Sequence, residues 1–367
     1  NVSFCNSGTF DLEVYKATEG AGEGLPPAGE GVTYLGTLSN VSGGLVSSAV
    51  LTVPVNAGLV IGNKITILAI DTANGNTSEF SANYALYLSI SGRIFHDVLG
   101  VASSSGPAFI GSTTADVHLY DVQGVHLTST YLNADGVFTF TELTNNTYYV
   151  TVNEFRGLAT NDLADGTLQV EQTYGSAGNG ATGSGPICIG AAPTYAQQSN
   201  ISASSWVAGA QNGAQAAGPC YGGRSQLSSA VKSSPPPAAG DSDHAIRIVV
   251  NNNNVTGVAF GFSANVVTNL GTSASQGTLA TFIKLANTLA GPNTMRFVPT
   301  VSTNQTSGAN QWWRLSVPGA LPSLIDNDTT LSGVAYSNVD GATILNRNNL
   351  TLGSASPIGL GSDGHAN

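Results

Sequence analysis

Short runs of strand-forming residues, separated by Gly, Asn, Ser and Thr, recur along the whole chain and constrain its fold more than any other feature. Residues of the separating types favour tight turns, and only one stretch has a helical pattern. The 367-residue chain contains 45 glycines and 9% charged residues, while its 41% hydrophobic residues are enough for apolar cores. The pattern predicts an all-β protein of several domains, built from many short strands.

The charge of the chain argues against two classes of partner. Eleven basic residues face 22 acidic ones, for a net charge of −11, and no basic stripe is interleaved with aromatic residues. We therefore expect no nucleic acid as a partner. No apolar run approaches the roughly 18–20 residues that span a bilayer, so we expect no membrane insertion. Because the chain begins at Asn1 and Met295 is its only methionine, we expect a processed or excised chain.

Three cysteines are too few for a disulfide-rich scaffold. Cys188 and Cys220 share one Gly-, Ala- and Ser-rich stretch, whereas Cys5 lies far away in sequence. None has CxxC spacing, which argues against zinc and thioredoxin-like sites. We predict a Cys188–Cys220 disulfide that pins a long loop, contributes roughly 3–4 kcal/mol and implies an extracellular location. The alternative is three buried, inert thiols.

Residues 1–88 are predicted to form an antiparallel β-sandwich of about seven strands or fewer. The turns between their β runs carry Gly, Pro and Asn, and the runs lie at 10–17, 31–38, 44–54 and 63–71. The stretch "EVYKA…GEGVTYLGTL…ITILAIDTANGNTSEFS" resembles the Ig-like module that follows β-helix segments in very large bacterial surface proteins. That resemblance implies a spacer domain.

Residues 89–263 form a second predicted module, with a long insertion at 156–243. Its runs "SISGRIFHD", "ADVHLYDVQG", "NADGVFTFTELTNNTYYVTVNE" and "VTGVAFGFS" resemble the B-type, prealbumin-like repeat of bacterial adhesins. A loop dense in Asp and Asn binds calcium in that family, which implies a weak Ca²⁺ site at Asp97, Asp121 and Asp135. The other carboxylates of the pattern are replaced by neutral residues, so we expect calcium to matter little and no further cofactor.

Residues 264–367 are predicted to begin with a helix near 278–290. Apolar residues follow helical spacing there, Thr278 is a suitable N-cap, and Gly291 and Pro292 end the pattern. Short strands are predicted after it, at 294–299, 312–318, 329–336 and 342–348. An amphipathic helix followed by short strands resembles the N-terminal cap and first coils of a right-handed parallel β-helix in the same large surface proteins.

The end of this predicted β-helix has no covering element in the sequence. A β-helix buries its core by stacking coils, so apolar side chains and an unpaired edge are expected at the last coil. We predict an assembly interface at Leu331, Val334, Ile344 and Leu350. Residues 329–367 of one copy are expected to contact residues 1–88 of the next, head to tail. Such a contact does not close on itself and propagates into a filament.

The sequence carries no catalytic motif. No HExxH, GxSxG or P-loop pattern occurs, and two GxGxxG matches lack a strand before and a helix after them. Parallel β-helices also host polysaccharide-degrading enzymes, but the carboxylates here are too few to stack into a cleft. His118 and His126 flank a predicted turn and could meet across a hairpin, and we interpret them as surface imidazoles.

These features favour a non-catalytic extracellular structural protein at the cell surface. We expect a self-assembling subunit or segment of a bacterial filament, sheath or surface layer, whose partners are further copies of itself. The alternative is an adhesin that binds glycans or host surfaces through its loops. A polysaccharide-degrading β-helix enzyme is a weaker alternative, because the predicted strands lack a carboxylate cleft.

Overall fold

The computed structural model confirms the predicted all-β class: the described residues are mostly strand, with one α-helix, α1 (Leu279–Ala286). No helix among them is both long and apolar enough to cross a membrane. The structure describes residues 2–3, 8–17, 30–43, 45–46, 51, 53, 57–108, 115–155, 170–179, 184–188, 216–222, 244–271, 276–289, 291–308, 310–315 and 320–346.

The chain divides into two compact units. One comprises Asn1–Leu88 with Thr141–Asn145, and the other comprises Ser89–Phe140 with Asn146–Asn367. The predicted segments 89–263 and 264–367 therefore fall within the same unit. A separate domain that begins at residue 264 stays a prediction.

The first unit contains a four-stranded antiparallel sheet in the order β3-β2-β5-β6 and a short β1–β4 pair. Leu12 and Val14, two residues apart on β2, are buried on one face, as strand geometry requires. The predicted sandwich stays a prediction, because only one larger sheet is described. The strands are β1 (Val2–Ser3), β2 (Thr9–Ala17), β3 (Gly31–Ser42), β4 (Leu45–Val46), β5 (Lys64–Asp71) and β6 (Tyr84–Ala85).

The second unit contains two five-stranded sheets, here called the sandwich. The next ten strands are β7 (Leu88–His96), β8 (Ala115–Tyr120), β9 (His126–Tyr131), β10 (Val137–Leu143), β11 (Asn146–Phe155), β12 (Glu171–Asn179), β13 (Gly185–Ile187), β14 (Gly218–Pro219), β15 (His244–Val250) and β16 (Val255–Ser263). One sheet has the order β10-β7-β16-β12-β14 and the other has the order β13-β15-β11-β8-β9.

The sandwich core follows from period-two burial. Alternate apolar residues of β15 and β16 are fully buried, including Ile246, Ile248 and Phe260. The rings of His244 and Phe262, one from each sheet, lie edge to face with centroids 4.8 Å apart. The two sheets therefore pack on each other through the residues that alternate inward. The first and last strands, β7 and β16, pair in parallel.

Part of the predicted insertion at 156–243 extends the sandwich. β12 pairs antiparallel with β16, and β13 pairs antiparallel with β15. The insertion therefore adds strands to both sheets. Its other residues lie outside the described ranges.

The remaining strands and α1 form what we call the C-terminal stack, the described residues between 264 and 346. β17, β19 and β23 pair in parallel, as do β18 and β22. The strands are β17 (Val266–Val267), β18 (Asn293–Thr294), β19 (Arg296–Phe297), β20 (Gln305–Ser307), β21 (Asn310–Trp312), β22 (Thr329–Thr330), β23 (Ala335–Tyr336) and β24 (Ile344–Asn346). Short parallel strands in two ladders are what the first coils of a β-helix require.

Two of the four predicted strands do not continue the parallel ladders. The predicted strand at 312–318 begins instead in an antiparallel hairpin, β20–β21, whose turn has Gly308 at a φ of 60°. The predicted strand at 342–348 is β24, which pairs antiparallel with β23. The chain reverses there because the Asp340 carboxylate accepts hydrogen bonds from the backbone N–H groups of Ala342 and Thr343, both at 2.9 Å.

Candidate assembly surface

The helix α1 covers one end of the C-terminal stack. Thr278 caps it, since the Thr278 Oγ1 accepts a hydrogen bond from the Thr281 N–H at 3.2 Å. Phe282, Ile283 and Ala286 are buried in one apolar cluster together with strand residues, namely Val267, Met295, Phe297 and Ala335. The predicted helix and N-cap are therefore confirmed, and the helix shields the start of the apolar interior.

Two asparagines tie the helix to the strands that follow. The side-chain amide of Asn293 is buried and donates to the carbonyls of Ala286, Leu289 and Gly291 at 3.0–3.2 Å. Asn287 donates to the Ser323 carbonyl at 2.7 Å and accepts from backbone N–H groups at residues 325 and 326. These contacts satisfy carbonyls at the helix end, which otherwise have no intrahelical partner. Asparagine was not among the predicted site residues.

Acidic side chains hold the corners of the stack. Asp326 Oδ2 accepts a hydrogen bond from the Thr329 hydroxyl at 2.6 Å, and this bond lowers the pKa of Asp326. Asp340 Oδ2 accepts one from the Thr343 hydroxyl, also at 2.6 Å, which together with backbone N–H donors lowers the pKa of Asp340 to about 2. Both carboxylates therefore fix turns in their ionised form.

The stack also exposes apolar side chains. Of the predicted interface residues, Leu331 is exposed, Val334 and Ile344 are half-buried, and Leu350 lies outside the described residues. Exposure extends further than predicted, to large side chains that are 40–73% exposed. We call these residues the assembly surface: Leu324, Ile325, Leu331, Val339 and Leu345.

Part of the assembly surface adjoins outer strands: Leu345 lies on β24, Val339 lies in the turn before β24, and Leu331 directly follows β22. β24 is the outermost strand of the sheet β17-β19-β23-β24, and β22 is the outer strand of the β18–β22 pair, among the described strands. Outermost strands present backbone groups that another strand can pair with. Apolar side chains beside such strands make association with a second surface favourable.

The first unit also has an outer strand with exposed apolar side chains. β3 ends the order β3-β2-β5-β6 in the described sheet. On β3, Val32 is 62% exposed and Tyr34 is 54% exposed. β3 is therefore an outer strand that presents apolar side chains to water.

The predicted disulfide is present and joins the two sheets of the sandwich. Cys188 follows β13 and Cys220 follows β14, with their Cα atoms 5.1 Å apart and a separation of 32 positions in sequence. The Cys220 N–H donates to the Thr173 carbonyl of β12 at 2.8 Å. The disulfide therefore links the ends of β13 and β14, the edge strands that the insertion adds to the two sheets.

Tyr221, the residue after Cys220, connects the sandwich to the C-terminal stack. Its hydroxyl donates to the Gly100 carbonyl at 2.9 Å, and its buried ring packs against Val266 and Val298. Burial raises the pKa of the Tyr221 phenol well above its ordinary value. A Cβ at Gly341, whose φ is 64°, would collide with the Tyr221 ring. The disulfide therefore positions a buried ring at the junction.

Arg296 strengthens the same junction. Its guanidinium lies 3.7 Å from the ring centroid of Tyr336, and its Nε donates to the Gly341 carbonyl at 3.2 Å. The stacked geometry is that of a cation–π contact. β19 is thereby held to β23 and to the turn before β24.

The structure does not assemble the implied calcium site. Asp97 follows β7 and accepts from the Ser103 N–H, whereas Asp121 closes the β8–β9 turn by accepting from the Val125 N–H. Asp135 lies in another turn, before β10. The part of the chain that the structure describes contains no group of three or more His, Cys, Asp or Glu side chains that could hold a metal ion. Each of the three carboxylates therefore lies on its own turn, and the weak calcium site stays a prediction.

One of the two histidines interpreted as surface imidazoles is buried. His118 is nearly inaccessible and His126 is half-buried, and their rings meet across the β8–β9 hairpin with centroids 5.6 Å apart. The surface interpretation is therefore wrong for His118. On β8, side chains on both faces of the strand are buried, so His118 is buried although it lies on the outer face.

No protein-family model matches the chain, and no curated protein matches it significantly. Among solved structures, BcpA, the major pilin subunit of Bacillus cereus, is 13% identical with a TM-score of 0.17, covering 44% of this chain and 51% of BcpA. The group B streptococcus pilus 2b backbone protein is 13% identical with a TM-score of 0.17, covering 41% of this chain and 66% of that one.

A third similar structure is a bacterial adhesin from Mobiluncus mulieris that contains intramolecular disulfide, isopeptide and ester bond cross-links. It is 9% identical with a TM-score of 0.21, and the match covers 72% of this chain and 86% of the adhesin. The chain thus spans about half of BcpA and 66% of the streptococcal protein. TM-scores this low decide neither the function of this chain nor its assembly.

Proposed function

We propose that this chain is a non-catalytic structural protein of the bacterial cell surface that assembles with copies of itself into a filament, sheath or layer. One observation carries the proposal: large apolar side chains are exposed in the C-terminal stack, beside the outermost strands of its two parallel ladders. The disulfide is consistent with an extracellular location, because such bonds persist in oxidising compartments.

The stack is proposed to be the helix-capped start of a right-handed parallel β-helix. Val266 pairs with Arg296 and Phe297 pairs with Ala335, so three successive strands lie in one parallel ladder. Their apolar side chains and those of α1 form one buried cluster. A β-helix of this kind grows by adding coils, and a second copy can supply the next layer.

Charge offers little protection to the assembly surface. The acidic residues near it, Asp326 and Asp340, use their carboxylates to hold corners. Both carboxylates stay ionised, so each is a single negative charge beside an otherwise apolar surface. Residues 341–367 add only Arg347 and Asp363, besides His365.

We propose that the surface on the next copy lies in residues 1–88. β3 is an outermost described strand with exposed Val32 and Tyr34. A contact between the end of one chain and the start of another is heterologous, so it leaves one free surface of each kind at every step. Head-to-tail growth follows from that geometry.

The test uses the full chain. We expect polymers in electron micrographs and a weight-average mass that rises with protein concentration in light scattering. Leu331→Glu combined with Leu345→Glu places two charges on the assembly surface and should abolish the polymers. The matched control is Leu127→Glu, since Leu127 is about as exposed but lies on β9 of the sandwich.

Circular dichroism and the fluorescence of Trp313, which packs against Phe297, verify that each variant is folded. A monodisperse wild-type monomer at high concentration with a folded C-terminal stack would overturn the assembly proposal. Equal polymerisation of the double variant and the wild type would place the contact elsewhere.

An adhesin that binds glycans is the second candidate, and exposed tyrosines favour it. Tyr34, Tyr84 and Tyr87 of the first unit are all exposed, and exposed aromatic rings are the usual platforms for sugar stacking. A glycan array on the folded monomeric double variant tests this directly. Glycan binding that is lost in Tyr84→Ala and Tyr87→Ala would support the adhesin. If no glycan binds, the structural role is the remaining candidate.

A further inference from the structure

Two histidines and a serine converge on the outer side of the β8–β9 hairpin. His118 lies directly opposite Ser129 in the antiparallel ladder, and Tyr120 lies opposite His126. The register shifts between Leu119 and Tyr120. That irregularity brings His126 to the face that carries His118, because one extra residue reverses the side to which a strand residue points.

Both imidazoles are directed at one oxygen atom. His118 Nδ1 lies 2.7 Å from Ser129 Oγ, and His126 Nε2 lies 2.8 Å from the same atom. The two rings are inclined by 65°. Their nitrogens therefore converge from two directions on one point, which is the arrangement that a shared ion needs.

Neighbouring groups hold these rings in place. The Tyr120 ring lies edge-on to His126, with centroids 5.4 Å apart. The hairpin turn is fixed by Asp121, whose carboxylate accepts from the Gln123 and Val125 N–H groups at 2.9 and 2.8 Å. Ser129 is exposed, so the point of convergence is open to water on one side.

We propose that His118 and His126 form a two-imidazole binding site for a divalent transition metal ion, with Cu²⁺ the tightest. Metal–imidazole bonds are about 2.0–2.1 Å long for zinc. Each nitrogen already lies within 2.8 Å of the common point. The ion displaces the Ser129 hydroxyl from between the rings, and water completes its coordination.

The chemistry of the ligands selects the ion. Imidazole nitrogen suits copper, nickel and zinc, and the order of divalent affinities peaks at Cu²⁺. Calcium and magnesium require oxygen ligands and are excluded from a site whose protein ligands are two nitrogens. The described residues provide no third His, Cys, Asp or Glu to this site. The site is therefore an open one, and the ion cross-links β8 to β9, the outermost described strand of its sheet.

The test is a Cu²⁺ titration of the full chain, followed by calorimetry and by electron paramagnetic resonance. We expect one ion with two nitrogen ligands. His126→Gln removes one half-buried ligand and should weaken Cu²⁺ binding about tenfold or more. His365→Ala, which changes a histidine far away in sequence, should leave the affinity unchanged. Absence of binding to the wild type, or equal affinity and an equal spectrum for His126→Gln, would overturn the proposal.

A variant that adds a metal ligand avoids any substitution of the buried His118. Ser129→His places a third imidazole at the exposed point between the two rings, where no core packing is lost. We expect Cu²⁺ and Zn²⁺ binding to tighten about tenfold or more. Unchanged affinity of this folded variant for both ions would show that the three positions do not share one coordination sphere.

Discussion

The sandwich and the C-terminal stack are both built from β-strands, yet they close their cores differently. In the sandwich, β11 pairs with β15 from Asn146 to Val152 without a register shift. In the stack, β19 meets β23 through one residue pair, Phe297 with Ala335. Long ladders hold most of the sandwich together, whereas the stack depends on α1, corner side chains and the junction at Tyr221.

This difference indicates which region of the molecule is better suited to associate with a second copy. Strands of two or three residues satisfy few backbone groups, so each lost neighbour matters more than in a long ladder. The stack is covered by α1 at one end and exposes Ile325 and Leu345 elsewhere. In the proposed assembly, a second copy covers those side chains.

The largest expected effect comes from truncating a buried side chain in the core of one region at a time. Phe282→Ala removes a buried ring from α1 and should cost about 3–5 kcal/mol. We expect hydrogen exchange to accelerate in residues 293–298 while residues 244–250 stay protected. Phe260→Ala in the sandwich is the matched control and should expose residues 244–250. Simultaneous loss of protection in both regions after Phe282→Ala would mean that they unfold as one unit.

Removing the disulfide is the next largest change. Cys188→Ser with Cys220→Ser opens a loop closed over 32 positions and should cost roughly 3–4 kcal/mol by chain entropy. Chemical denaturation of the oxidised wild type against the double variant measures it. The matched variant Tyr221→Phe keeps the ring, loses the hydroxyl bond to Gly100 and should cost about 1 kcal/mol. A double variant as stable as the wild type would show that the bridge adds nothing to the sandwich.

A smaller effect tests the cap of α1. Thr278→Ala removes the acceptor for the Thr281 N–H and should destabilise the stack by about 1 kcal/mol. Trp313 fluorescence during guanidinium unfolding reports the change, because Trp313 packs on the cluster that α1 covers. Thr306→Ala, at an exposed position of β20, should change stability less. Equal effects of the two substitutions would contradict a specific capping role.

The turn before β24 should respond to acid. Hydrogen bonds from Thr343 and Ala342 lower the pKa of Asp340 to about 2, below its ordinary value of 3.8. A lowered folded-state pKa means that the carboxylate stabilises the turn above about pH 4 and loses this contribution as the pH falls towards 2. Amide exchange at Thr343 should accelerate over that interval, and Asp340→Asn should remove the dependence. A profile that is unchanged in Asp340→Asn would assign the titration to another group.

The smallest expected effect concerns calcium. Asp97, Asp121 and Asp135 occupy separate turns, so millimolar Ca²⁺ should leave the melting temperature of the sandwich nearly unchanged. Differential scanning calorimetry with and without chelator measures it. A rise of many degrees would mean that the sandwich owes its stability to an ion as well as to its ladders and disulfide.

Features that are encoded within one short stretch of the chain were predicted correctly. The helix was predicted near 278–290 and spans Leu279–Ala286, because its spacing and its N-cap are encoded within a few residues. The disulfide partners were also predicted, since they share one stretch of an otherwise cysteine-poor chain.

Strand direction and register were not predictable in the same way. A short apolar run carries no sign of whether its partner runs parallel, so the antiparallel pairing of β21 and β24 was not predicted. β12, "EQTYGSAGN", has few residues that favour strands and becomes one through its pairing with β16.

The same limit affected the candidate sites. Ile344 was predicted at the interface, but its neighbour Leu345 is the more exposed residue. A shift of one residue exchanges the two faces of a strand, so burial cannot be assigned until the register is known. The convergence of His118 and His126 depended on such a register shift.

The parallel pairing of β7 with β16 determines how the sandwich responds to tension. Gly92 lies opposite Val258 and His96 lies opposite Phe262, so both strands run the same way. A pull that enters at Ser89 and leaves at Ser263 acts on opposite ends of the pair and loads it in shear. The bridging hydrogen bonds then resist together, whereas a hairpin pulled at its two ends opens bond by bond. In a filament under flow, such a link transmits force with little extension.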